Sequence, residues 1–166
     1  MQLKTALLAA SIVAAGLAVQ PLELAHAGTV TANMNVKIVI QNACQITTAP
    51  SDLDFGTTGP LTANVDNQTT FGVTCTDQAA YNIGLDAGQH ASGGSNRMTD
   101  GTNFVNYALY QNSGRTTAWG NTVGTDTEAG TGTGNEQSIT VYGRVPVQTT
   151  PPAGTYSDTV AVTVTF

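Results

Sequence analysis

The chain has 166 residues, with 11 acidic side chains against 5 basic ones and a formal charge of −6. Lacking a basic stripe, it is unsuited to a phosphate backbone or an anionic lipid surface, so neither nucleic acid nor membrane is expected as a partner. Thr, Gly, Asn and Val are plentiful while Leu, Lys and Glu are few, which predicts an all-β domain with many turns.

In chain order, the first element is an export leader. Lys4 supplies the positive start, residues 5–19 are an apolar run, and Ala25-His26-Ala27 has the small-x-small pattern of a cleavage site. The run is short for a membrane helix, and no later segment reaches that length. Removal of residues 1–27 as a signal peptide leaves 28–166, a single domain's worth of chain.

Residues 29–40 follow at once. Val30, Ala32, Met34, Val36, Ile38 and Ile40 alternate with Thr29, Thr31, Asn33, Asn35, Lys37 and Val39. This is the two-residue period of a strand with one buried face and one wet face. Next to a cleavage site, such a strand is free to leave its own domain and pair with another chain. It could equally be the first strand of a complete sandwich.

Cys44 and Cys75 belong to a chain that leaves the reducing cytosol, so one disulfide between them is expected. Closing that loop stabilises a fold by about 2–4 kcal/mol. A metal-binding or catalytic thiol pair would need closer spacing and nearby histidines.

Residues 47–60 read as a turn-rich stretch holding Leu53-Asp54-Phe55-Gly56. Residues 68–76 form a strand with Phe71, Val73 and Cys75 on one face, and Tyr81, Ile83 and Leu85 alternate again. Residues 87–101 are expected to be loop. Residues 104–110 are apolar at nearly every position, which predicts a central strand covered on both faces. Residues 120–137, with Gly124, Gly130, Gly132 and Gly134 among threonines, read as a mobile surface loop. Residues 138–147 return to strand, with Pro146 marking an edge or a bend. After a turn at 149–154, Tyr156, Asp158, Val160, Val162, Val164 and Phe166 share one face of a terminal strand. Six or seven strands joined by turns predict a β-sandwich.

Catalysis finds little support, and neither an enzyme nor a cofactor is implied. His90 is the single histidine beyond the leader and sits in a Gly/Ser loop without a nucleophile motif, so it reads as a surface residue. Asp52 with Asp54, and Asp126 with Glu128, fit no acid–base motif. A calcium site at Asp126 and Glu128 lacks the usual loop pattern, so no metal site is assigned. The Gly130–Gly134 stretch lacks the Gly-Lys-Ser/Thr ending of a phosphate cradle. Trp119 with Tyr107 and Tyr110 could build a sugar-stacking platform, although packing is the simpler role for all three. A secreted, monomeric carbohydrate-binding sandwich is therefore the alternative of a different class.

Three stretches together carry a resemblance. They are Val36-Lys37-Ile38-Val39-Ile40-Gln41-Asn42-Ala43-Cys44, then Phe71-Gly72-Val73-Thr74-Cys75, then Gly154-Thr155-Tyr156-Ser157-Asp158-Thr159-Val160-Ala161-Val162-Thr163-Val164-Thr165-Phe166. The chain resembles the pilin subunits of archaic chaperone–usher pili, the spore coat protein U family. The resemblance implies an incomplete immunoglobulin-like sandwich of six own strands, domain 42–166, with residues 28–41 as a donor strand for a neighbour. Val30, Ala32, Met34, Val36, Ile38 and Ile40 would be its plugs. Val160, Val162, Val164 and Phe166 would line the acceptor groove, with the Phe166 carboxylate gripped by a periplasmic assembly chaperone. The implied partners are identical subunits in a head-to-tail homopolymer, that chaperone, an outer-membrane usher and a tip adhesin. The implied location is the periplasm of a Gram-negative bacterium and then its surface, in adhesion and biofilm formation. A self-complete secreted coat protein of the same family is the other reading.

Overall fold

A computed structural model describes residues 27–166; the leader reading for 1–27 falls outside it apart from Ala27. The chain divides into two units at Ile38. In the first, residues 27–38 form no strand and their side chains are exposed.

The second unit, 39–166, is all-β. Its strands are β1 (Cys44–Thr48), β2 (Val65–Cys75), β3 (Ala80–Leu85), β4 (Asn96–Thr99), β5 (Phe104–Tyr110), β6 (Glu128–Thr131), β7 (Glu136–Val145) and β8 (Val162–Thr165). A five-stranded sheet has the order β1-β2-β7-β5-β4, and a three-stranded sheet the order β6-β3-β8. Every paired neighbour is antiparallel. The long β2–β7 ladder, from Val65 opposite Val145 to Thr74 opposite Glu136, is the backbone of the larger sheet.

The core follows from the two-residue period. Phe71 and Val73 of β2 and Val141 of β7 face Tyr81, Ile83 and Leu85 of β3 across one buried cluster. Leu53 and Phe55 join that cluster from the segment before β2. They lie over Gly143 of β7, where a Cβ would stand 2.5 Å from Leu53 Cδ2. The short apolar unit between turns therefore packs on β7 of the larger sheet.

Several expectations are corrected. Eight strands are present among the described residues, where the resemblance implied six. Residues 96–99, placed in a loop, form β4, because β5 offers them a free edge to pair with. Residues 128–131, placed in a mobile loop, form β6 against β3. The rest of that loop is pinned: Gly132 N donates to Ala79 O at 2.7 Å and Gly134 N to Cys75 O at 3.1 Å. β5 is fully buried on one face only: Val105, Tyr107 and Leu109 are buried, while the other face runs from exposed Phe104 and Asn106 to half-buried Ala108 and Tyr110. β7 ends at Val145, so Pro146 closes a central strand and marks no edge. The long terminal strand is ladder-paired to the smaller sheet only at Val162–Thr165.

Candidate strand-acceptor site

The smaller sheet leaves β8 with a partner, β3, on one side only. β1 is likewise the last strand of the larger sheet, and β1 and β8 lie against each other. Two sheet edges thus meet along the terminal segment without a ladder joining them. Free edges carry unpaired N–H and C=O groups and are templates for another strand.

Side chains along this edge keep the alternation read from the sequence. Val160, Val162 and Val164 are half-buried and pack against the core, while Thr159, Ala161, Thr163 and Thr165 are exposed. Phe166 differs from its three predicted companions, being 59 % exposed. At the Tyr156 end, the space between residues 53–61 and 150–156 is a cleft of about 720 Å³. Phe55, Leu61, Val65, Met98, Val105 and Val145 are among its walls. It is an open cleft of mixed lining, with Asp54, Thr57 and Thr150 beside these apolar walls.

A hydrogen-bonded cluster fixes the start of the terminal segment. Asp158, with its side chain 3 % exposed, accepts from Gln89 N at 3.0 Å, His90 Nδ1 at 2.8 Å and the Tyr107 hydroxyl at 2.7 Å. Burial alone would raise this carboxyl, but the bonds from Tyr107, His90 and nearby backbone amides outweigh it and hold the group below its ordinary value. Burial, reinforced by Asp158, drives the Tyr107 hydroxyl well above the usual phenol range. His90 is therefore a half-buried partner of Asp158 rather than a free surface residue. Its signal in the sequence was indirect: Asp158 is an acid on an apolar face, and a buried carboxylate needs partners.

The segment proposed to fill such an edge is exposed throughout its described length. Val30 is 96 % exposed and Ile38 82 %, and Ala32, Met34, Val36 and Ile40 are exposed as well. At its C-terminal end, Thr76 receives the chain: its hydroxyl donates to Gln41 O at 3.0 Å and its amide to Ala43 O at 2.9 Å. Cys44 and Cys75 are directly opposite in the β1–β2 register and are disulfide-bonded, fastening the β1 edge.

The other candidates are placed elsewhere. Trp119 is buried and its indole donates to Ile83 O at 2.8 Å, Tyr107 is buried, and Tyr110 lies half-buried opposite Tyr142, so no joint sugar platform forms. Asp126 closes its own loop, accepting from Thr122 N at 2.6 Å through its side chain. Asp54 accepts from Gly56 N at 2.7 Å, and Asp52 is exposed. Among the described residues, no group of three or more His, Cys, Asp or Glu side chains could hold a metal ion.

Comparison with known families decides the kinship: the Spore Coat Protein U domain matches residues 30–163. The chain belongs to that family. Protein U of Myxococcus xanthus is 36 % identical over an alignment covering 99 % of this chain and 98 % of that protein. A chain in the crystal structure of the CsuC–CsuE chaperone–tip adhesion subunit pre-assembly complex, from archaic chaperone–usher Csu pili of Acinetobacter baumannii, superposes with a TM-score of 0.55 at 26 % identity. That superposition covers 76 % of this chain and 40 % of the other, so this Spore Coat Protein U domain chain matches well under two thirds of that neighbour. The immunoglobulin-like pilin fold implied by the resemblance is the fold found here.

Proposed function

We propose that this chain is a structural subunit of an archaic chaperone–usher pilus, polymerised head to tail by strand donation. The observation that carries the reading is the unpaired β8 edge, with Val160, Val162 and Val164 half-buried beside it, in a chain whose residues 28–41 alternate and stand exposed. The Spore Coat Protein U domain and the Csu neighbour support it. Residues 28–41 of one subunit are the donor, and Val30, Ala32, Met34, Val36, Ile38 and Ile40 plug the groove of the next. Before that, a periplasmic chaperone covers the edge and grips the exposed end at Phe166, and an outer-membrane usher exports the growing fibre for adhesion and biofilm formation. The role is structural, without catalysis.

Strand addition draws affinity from backbone hydrogen bonds and register from alternate side chains. Each large plug gains about 1.5–3 kcal/mol on burial, against a substantial cost of association. A donor at one end and a groove elsewhere make a heterologous contact, which grows open filaments. Lys37 and the asparagines on the wet face limit wrong pairing.

The test uses the chain lacking residues 28–41 and a synthetic peptide of that sequence. The truncated chain binds one peptide per subunit and does not polymerise, and a peptide carrying Ile38→Asp does not bind. A truncated chain that ignores the native peptide overturns the proposal. The second reading is a secreted coat protein of the same family that is complete in itself. Surface delivery without any chaperone or usher would select it.

A further inference from the structure

The terminal segment changes sheets, and two carboxylates hold the crossing. Ser157 pairs with Thr99 at the β4 edge of the larger sheet, the two amides donating at 2.9 and 3.0 Å. By Val162 the same segment pairs with Leu85 in the smaller sheet. A chain that leaves one ladder for another abandons backbone bonds at the crossing, and the freed groups must find other partners.

Asp86 takes one side of that task. Its Oδ1 accepts from Ala161 N at 2.9 Å and Gly88 N at 3.0 Å, while its own amide donates to Ala161 O at 3.1 Å. Asp158 takes the other, binding Gln89, His90 and Tyr107 from two directions. Gln89 N is shared with Thr159 O at 3.2 Å. Segments 86–90 and 158–161 are thus laced together reciprocally, each by the other's carboxylate. Gly88, at φ 81°, leaves no room for a Cβ beside Asp158 Oδ2, so the lacing is close. Tyr107 adds an anchor in the larger sheet, because β5 packs against the core there.

We propose that Asp158 is the positioning residue of the acceptor strand: by fixing where the terminal segment crosses between sheets, it sets the register and facing of Val160, Val162 and Val164 for an incoming strand. The inference rests on the strand-donation reading above and adds to it the group that aligns the groove. Asp158 touches no donor. It acts through residues 159–164, whose inner side chains the donor would meet.

The test compares the full chain with Asp158→Asn and Tyr107→Phe, following polymer growth by light scattering and amide exchange by mass spectrometry. Asp158→Asn slows growth about tenfold, as loss of hydrogen bonds to a charge implies. It raises exchange at 86–90 and 159–164 and leaves the β2–β7 ladder protected. Tyr107→Phe removes one of these bonds and falls between the two, so the comparison survives if Asp158→Asn does not fold. Growth at the wild-type rate with exchange raised locally overturns the inference alone. Exchange raised equally in β2 and β7 assigns Asp158 to general stability and also overturns it. A wild-type chain that forms no polymer removes the strand-donation reading and this inference together.

Discussion

Trp119 and Ile83 are joined across the sandwich: the indole N–H of Trp119, 6 % exposed, donates to the carbonyl of Ile83 at 2.8 Å. Ile83 itself is fully buried in β3. The bond ties the segment after β5 to the smaller sheet and places the single tryptophan inside the fold. A side chain held in this way cannot stack on a sugar.

Replacing it therefore damages the fold. Trp119→Ala should lower stability by about 3–5 kcal/mol, as expected for an aromatic lost from a packed core. Trp119→Phe keeps most of the packing but removes the bond to the Ile83 carbonyl, at about 0.5–1.5 kcal/mol. Urea unfolding measures both, and wild-type tryptophan emission should not respond to oligosaccharides.

The Cys44–Cys75 bond constrains a 31-residue separation at the β1 edge. The double variant Cys44→Ser with Cys75→Ser should lose about 2–4 kcal/mol. Calorimetry of the oxidised and reduced chain should reproduce that difference, and hydrogen exchange should place the earliest loss in β1.

At Gly143 the prediction concerns space. A Cβ there would meet Leu53 Cδ2 at 2.5 Å and Phe55 Cζ at 2.9 Å. Gly143→Ala should cost about 1–3 kcal/mol through overpacking, with Leu53→Ala in the same chain recovering part of it. Denaturant midpoints of the single and double variants decide the point.

Much of this was legible in the residues. The alternation at 71–75, 81–85 and 160–164 named the buried faces correctly, because a half-buried strand imposes its period on side-chain polarity. β4 and β6 were not legible. Asn96-Arg97-Met98-Thr99 and Glu128-Ala129-Gly130-Thr131 have weak strand preference, and each is a strand only because a neighbouring edge pairs with it. The fixed position of residues 120–134 was hidden for the same reason: its anchors, Ala79 and Cys75, are distant in sequence. Asp158 was visible as a lone acid on an apolar face, but its partners Gln89, His90 and Tyr107 come from two other parts of the chain. Leu53 and Phe55 lie in a stretch dominated by turn residues, and their place over Gly143 is set by a strand far away in sequence.

Acid should weaken the crossing of the terminal segment. Asp158 is held below its ordinary value of 3.8 in the folded chain, so its stabilisation is complete above that pH and is lost as pH falls through the lower folded value. Asp100 is likewise held low, at about 2, by bonds from Asn103 and Thr102. The gap in melting temperature between wild type and Asp158→Asn should shrink as pH falls below 3.8.

The most direct measurement is a thermal melt of two chains produced in the periplasm. One is residues 28–166. The other carries residues 28–41 behind Phe166 through a short flexible turn. Strand donation predicts that the rearranged chain is a monomer melting far above the original, which polymerises or is lost without a chaperone. An original chain that is already a stable monomer, and is weakened by the rearrangement, would contradict the account.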